Sequence, residues 1–188
     1  MTMSRRTSMV VVAAIALVVI PSCGGGSDGA VDEGRSLRID LISDALDEVH
    51  ALGVDGLGYF EVNATSSVVN VFVASDLDGV PNADGRPDAV VQYVYLPDDG
   101  LQEPAEALGA SGPTFVRDEV DFDTDSVLDK VMSELPESTP SMFVITSAGS
   151  LEVESDRVEY RVTMLSSKGG ELSVVVTGSG DIVGTDAE

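Results

Sequence analysis

In the stretch RVEYRVTML, Val158, Tyr160, Val162 and Met164 alternate with Glu159, Arg161 and Thr163 without a break. A period of two belongs to a strand with one face buried and the other open. SVVNVFVAS repeats the pattern, with Val69, Val71 and Val73 set against Asn70 and Phe72, and GYFEVNA, AVVQYVYL, SMFVIT and LSVVVTG read as further strands. DIVGT adds a short edge strand. Two segments have a different period. Leu37, Leu41, Ile42, Ala45, Leu46, Val49 and Leu52 form one helical stripe over Ser36 to Leu52, and Gly53 suits a C-terminal cap. Val127, Leu128, Val131, Met132 and Leu135 form a second stripe, with Asp123 or Thr124 as its cap and Pro136 as its end. Between them, residues 97–113 mix turn signals with one short helical turn, and TFVRDEVDF reads as a strand or as an extended approach to the second helix.

The order of elements therefore occurs twice: helix, strand, hairpin. Ile42 and Leu46 fall opposite Leu128 and Met132 at an offset of 86, and Phe60 falls opposite Phe143 at an offset of 83. The expectation is an α+β fold of two α-β-β-β units, residues 35–110 and 111–188, each with an amphipathic helix packed on an antiparallel sheet. A short helix cannot bury its stripe alone and a lone hairpin is marginal, so each requires the other. This order, closing on ELSVVVTGSGDIVG, resembles PepSY-type envelope modules and tandem helix-on-sheet inhibitor domains. That likeness concerns fold and implies no activity.

The first 34 residues stand outside the fold. Arg5 and Arg6 precede an uncharged apolar run from Met9 to Ile20, shorter than the roughly 20 residues that span a bilayer. The run ends in IPSC, with an aliphatic residue three before Cys23 and a small one directly before it. This resembles the lipobox of bacterial lipoprotein precursors, although Pro21 stands where that family has a small residue. The resemblance implies a signal peptide over residues 1–22, lipidation of Cys23 and an extracytoplasmic chain held on the outer face of the cell membrane. Cys23 is the sole cysteine, so no internal disulfide competes for it. GGGSDGAVDEG then reads as part of a flexible tether over residues 23–34. Gly25, Ser27 and Gly29 satisfy a nucleophile-elbow pattern there, and Gly24, Gly26 and Gly29 a dinucleotide fingerprint. Both lack the preceding strand and following helix that those motifs need.

From Cys23 onward the chain carries 33 acids against 8 bases, a formal charge of −25. Such a field excludes nucleic acid, whose phosphates require clustered Lys and Arg. The acids are interleaved with dense aliphatic runs, so the chain can bury a core. Trp is absent and aromatics are few, which argues against a stacking surface for bases or sugars.

Catalytic inventory is thin. His50 is the only histidine and sits beside the first buried stripe, which favours a helix-end surface position over a general base. Zinc sites built on His and Cys cannot be assembled. The sharpest motif is SDLDGVPNADGRPDAV, residues 75–90, where Asp76, Asp78, Asn82, Asp84 and Asp88 offer oxygens and Gly79 and Gly85 permit tight turning. It resembles the aspartate-rich calcium repeats of thrombospondin type 3 and, more distantly, EF-hand loops. Set on the EF-hand frame, Val80 and Val91 occupy two ligand positions. The alternative is a hairpin tip built of turn-forming residues. Calcium is the one cofactor the sequence suggests. NAT at residues 63–65 fits a glycosylation sequon, which a bacterial origin leaves idle. RDEVDFDTD, residues 117–125, reads as a solvated approach with acids near a helix N-terminus.

Three functions are compatible with this inventory. The first is a lipid-anchored, non-catalytic binding or accessory module of the envelope, engaging a protein partner or small ligand through its sheet surface or hairpin loops. The second is a carrier of lipid or apolar ligand, with a cavity between helices and sheet. The third is an envelope hydrolase centred on His50.

Overall fold

The computed structural model describes residues 36–79, 85–148 and 158–187. Gly34–Glu188 forms one compact unit of α+β type. A short 3-10 turn at Ile39–Leu41 leads into α1, Ile42–Ala51. Strands β1 (Tyr59–Ala64), β2 (Val69–Ser75) and β3 (Ala89–Leu96) follow as a meander. Two fragments come next, β4 (Gly100–Leu101) and β5 (Leu108–Gly109). Helix α2 is Val127–Glu134, and behind it come β6 (Ser138–Ser147), β7 (Val158–Ser166), β8 (Glu171–Val176) and β9 (Ile182–Ala187).

The strands make a single antiparallel sheet in the order β4-β3-β2-β1-β6-β7-β8-β9, with β5 also pairing β3. The seam is the β1–β6 pair, where Val62 lies opposite Ile145 and Ala64 opposite Phe143. Alternation then sorts the side chains. Val62, Val71, Tyr93, Phe143, Tyr160, Val162, Val174 and their neighbours face one way and are buried. Both helices contribute to that same core: Ile42, Ala45, Leu46 and Val49 from α1, Val127, Leu128 and Val131 from α2. Burying these faces on one another is the main favourable term in the fold.

Sequence and structure differ at three places. Residues 97–113 contain no helical turn; they run along the outer side of β3 as β4 and β5, with Gln102 and Ala105 N–H groups donating to the carbonyls of Val94 and Gln92 between them. A free edge of β3 offers unpaired backbone groups, and those partners outweigh a turn of helix in a segment holding Pro104 and Gly100. The first helix begins later than Ser36, and the last residue of its stripe, Leu52, is exposed. Phe60 and Phe143, at equivalent places in the sequence pattern, differ in environment: Phe60 is half-buried at a β-bulge between Tyr59 and Glu61, whereas Phe143 is fully buried.

Beyond Gly109 the chain crosses back to the centre of the sheet. Phe115 pairs with Tyr59, their backbones exchanging two hydrogen bonds of 2.8 and 3.0 Å, and their rings lie 5.8 Å apart. The segment 117–124 is an extended approach, as one of the two sequence readings has it, with a 3-10 turn at Arg117–Glu119. It is only partly solvated. Phe122 packs against Phe143 and Tyr160, and the Tyr160 hydroxyl accepts from the Asp121 N–H and donates to its carbonyl, both at 2.9 Å. Asp123 Oδ1 then accepts the N–H groups of Asp125 and Ser126, closing the turn that leads into α2, whose own N-cap residue Ser126 makes no side-chain cap bond.

Candidate binding face

The pleat that sends the valines into the core sends a different set of residues to the other side of the sheet, where no helix packs among the described residues. On β1 these are Glu61 and Asn63, on β2 Asn70 and Phe72, on β3 Gln92. Register brings the polar ones together. Asn63 lies opposite Asn70, and Gln92 lies opposite Phe72, one diagonal step from Asn70. Gln92 Nε2 donates to Asn70 Oδ1 at 3.0 Å, Asn70 Nδ2 to Asn63 Oδ1 at 2.8 Å, and Asn63 Nδ2 to Glu61 Oε1 at 2.6 Å. Three strands are thus tied by a chain of four side chains. Asn63 is buried, and a buried amide of this kind is tolerated only because it is bonded at both ends. It is also the acceptor of the sequon, and its burial removes it from any glycosylating enzyme once the chain has folded.

Burial pushes the Glu61 carboxyl above its ordinary range, and the hydrogen bond from Asn63 works against that. The folded protein therefore binds this proton more tightly than the unfolded chain, and protonation of Glu61 favours folding as pH falls through the raised value. Across the seam the same face continues with Thr146 opposite Glu61, then Glu159 opposite Thr146. Arg161 pairs with Glu159 at 2.5 Å and reaches Asp186 on β9 at 3.4 Å. The face carries this row of hydrogen-bonding groups and one compensated guanidinium among apolar side chains, Phe72, Val94, Val144 and Val175.

The sequence predicts other site residues. Asp76 and Asp88 flank the β2–β3 connection, Asp78 belongs to a 3-10 turn at Leu77–Gly79, and Asn82 and Asp84 lie outside the described residues, as does Cys23. Asp88 holds the connection together: its Oδ1 accepts the Leu77 N–H at 2.6 Å, while its own N–H donates to Ser75 and its carbonyl accepts from Ala110. Among the described residues no group of three or more His, Cys, Asp or Glu is placed to hold a metal ion.

His50 stands at the end of α1 with its ring largely in solvent, and its Nδ1 lies 2.9 Å from Asp55 Oδ2. The buried Tyr59 hydroxyl donates to the same oxygen at 2.7 Å. A carboxylate orienting an imidazole is half of a hydrolytic set, but no serine, threonine or cysteine is bonded to the ring among the described residues. What the trio does is close the turn between α1 and β1. Burial alone would raise the Asp55 carboxyl, yet the hydrogen bonds from Tyr59 and His50 outweigh it and hold Asp55 below its ordinary range. A depressed carboxyl contributes stability above its unfolded value, near pH 3.9, that disappears as pH falls through the folded one. Asp55→Ala is expected to cost about 2 kcal/mol at pH 7, the scale of hydrogen bonds to a charged acceptor. Urea unfolding should show the gap to wild type closing below about pH 4; a gap that persists at pH 2 would remove the ionic account.

A cleft of about 390 Å³ opens beside α1, between Ile39, Asp40, Ile42, Ser43 and Leu46 on one side and segment 117–124 on the other. Its lining cation, Arg117, is engaged with Asp47, and its Asp40 with Arg38. The helix–sheet interface itself is filled by side chains such as Ile42, Val49, Val62 and Phe143 that are wholly inaccessible. Compared with protein-family models, with curated proteins and with solved structures, the chain matches none.

Sequence reasoning misses the amide chain, although its signal is present. Glu61, Asn63, Asn70 and Gln92 are the polar members of otherwise apolar strands, and alternation places them on the open face. Which of them meet depends on cross-strand register, and register is not written in a single strand.

Proposed function

We propose that this protein is a lipid-anchored, extracytoplasmic binding module of the bacterial envelope that engages a protein partner through the helix-free face of its sheet. The observation that carries the reading is the row of amides and carboxylate set among apolar side chains on that face, since such a mixed surface offers a partner both directional hydrogen bonds and apolar contact. The partner it fits is a protein surface rich in hydrogen-bonding groups and neutral to basic in charge, because the −25 formal charge repels an acidic one. Anchoring rests on the lipobox-like IPSC and the tether that follows it. The chain also comprises two related α-β-β-β units in this reading. Support comes from the strand order, which runs outward from the β1–β6 seam in chain order on both sides.

The test uses membranes from cells making the full chain. Mass spectrometry should find a mature N-terminus at lipid-modified Cys23, and Cys23→Ser should move the protein to the soluble fraction. A photo-crosslinking residue at Thr146, on the helix-free face, should give a saturable adduct with one protein. The same residue at Asp129, on the outer side of α2, should not. Equal adducts from both positions, or adducts from Asp129 alone, would reject the assignment of the face.

A further inference from the structure

We propose that the Glu61–Asn63–Asn70–Gln92 chain is a proton-operated relay: binding one proton at Glu61 on β1 turns over three amides and changes the group displayed at Gln92 on β3 from an acceptor to a donor. The donor and acceptor capacity of each group dictates the order. An ionised carboxylate accepts and cannot donate. With Glu61 charged, Asn63 must present its nitrogen to Glu61 Oε1, at 2.6 Å, which leaves its oxygen for Asn70. Asn70 must then present nitrogen to Asn63, at 2.8 Å, which leaves its oxygen for Gln92, at 3.0 Å. All three amides point nitrogen toward the carboxylate, and the charge at one end dictates all three orientations.

A protonated Glu61 carries an O–H, and that donor is satisfied by Asn63 Oδ1 once the Asn63 amide turns over. Asn63 then offers nitrogen to Asn70, which turns over in its place and offers nitrogen to Gln92. The only net change is one proton taken from solvent; no covalent bond to a heavier atom is made or broken beyond the new O–H. Every hydrogen bond is kept in both states with its polarity reversed. The relay is therefore a two-state element biased by a single protonation. Gln92 ends the chain, and its outward group is the Oε1 oxygen in one state and the Nε2 hydrogens in the other.

Few charges interfere. Phe72 and Thr146, the residues paired with Glu61 on β2 and β6, are uncharged. Along the face, Glu159 and Arg161 stand two strands away on β7, bonded to each other, with Arg161 also reaching Asp186. Burial at the centre of the sheet then places the proton affinity of Glu61 above that of an ordinary glutamate. The consequence for a partner rests on the binding-face reading above. The relay itself is a property of the free protein, so either can fail alone.

The test is a pH titration by NMR of the labelled free protein, following the Glu61 carboxyl carbon and the side-chain amides of Asn63, Asn70 and Gln92. The relay requires all three amides to titrate with the Glu61 midpoint, and Glu61→Gln to abolish the titration at Asn70 and Gln92. Asn70→Val cuts the chain while leaving a strand-forming residue on β2. In that variant Asn63 should still follow Glu61 while Gln92 no longer does. A Gln92 amide that is silent through the Glu61 titration in wild type would overturn the proposal. So would one that still follows Glu61 in Asn70→Val, because the effect would then travel through space and not along the chain.

Discussion

Gly58→Ala is expected to lower the unfolding free energy by about 3 kcal/mol and the midpoint of thermal unfolding by roughly 6–12 °C. Gly58 has φ +82°, and a Cβ there would lie 2.5 Å from the Phe115 carbonyl oxygen and 3.3 Å from Thr114 Cβ. The nearest wall is backbone, so no rotamer change relieves the contact. The position is also tied on both sides: its N–H donates to Asp55, its carbonyl accepts from Ala74, and the next residue makes the two-bond bridge to Phe115. Relief would require that bridge to open, and with it the passage of the chain from the edge of β3 to the centre of the sheet. Gly53→Ala is the control. Gly53 also has positive φ, +69°, but nothing lies within 4 Å of its Cβ position, so it should cost about 1 kcal/mol from backbone strain alone. Equal losses in urea unfolding for the two variants would show that close approach to Phe115 contributes nothing.

Phe143→Ala is expected to cost about 4 kcal/mol, a large share of the roughly 5–15 kcal/mol that holds a typical domain together. Phe143 lies on the seam, opposite Ala64 on β1 and Val162 on β7. Its ring is wholly buried, 5.1 Å from Phe122 and 6.1 Å from Tyr160. The small side chain of Ala64 lies opposite the ring, and truncation opens a cavity in the middle of the core. The loss should reach beyond the cavity. Phe122 would lose its support, and the Tyr160 hydroxyl would lose its hold on the Asp121 backbone. Hydrogen exchange at Asp121 should accelerate in Phe143→Ala and stay near wild type in Phe143→Leu, which keeps most of the volume and should cost under about 1.5 kcal/mol. A loss below that figure for Phe143→Ala itself would mean that the two halves of the chain do not meet at β1 and β6.

These two residues mark the limit of what the strand pattern reveals. Val69, Val71, Val73, Val158, Tyr160, Val162 and Met164 are legible as core because their period of two is local, whereas Tyr59 reaches the core beside Val62 only through the bulge after it. The α1 and α2 stripes are legible for the same reason, and Pro136 marks the end of the second helix, which begins at Val127, later than a cap at Asp123 or Thr124 would have it. The sequence marks His50 as a helix-end surface residue and it is one, though its hydrogen bond to Asp55 joins residues whose meeting depends on the turn between them. Asp88 stands out in the sequence for its oxygen, and that oxygen accepts a backbone N–H eleven residues back along the chain.

Composition and period, then, decided which residues are strand, which are helix and which side of each is apolar, because those properties depend on neighbours two to four positions away. Tertiary structure alone decided that β1 pairs with β6 to make one sheet, that residues 100–109 run along β3 instead of turning as a helix, and that Glu61, Asn63, Asn70 and Gln92 form a single hydrogen-bonded chain. Each of those is a choice of partner among several strands of nearly identical valine-rich pattern. Such a choice is made by register, shape and the satisfaction of buried polar groups across the whole sheet, and no local stretch of sequence contains it.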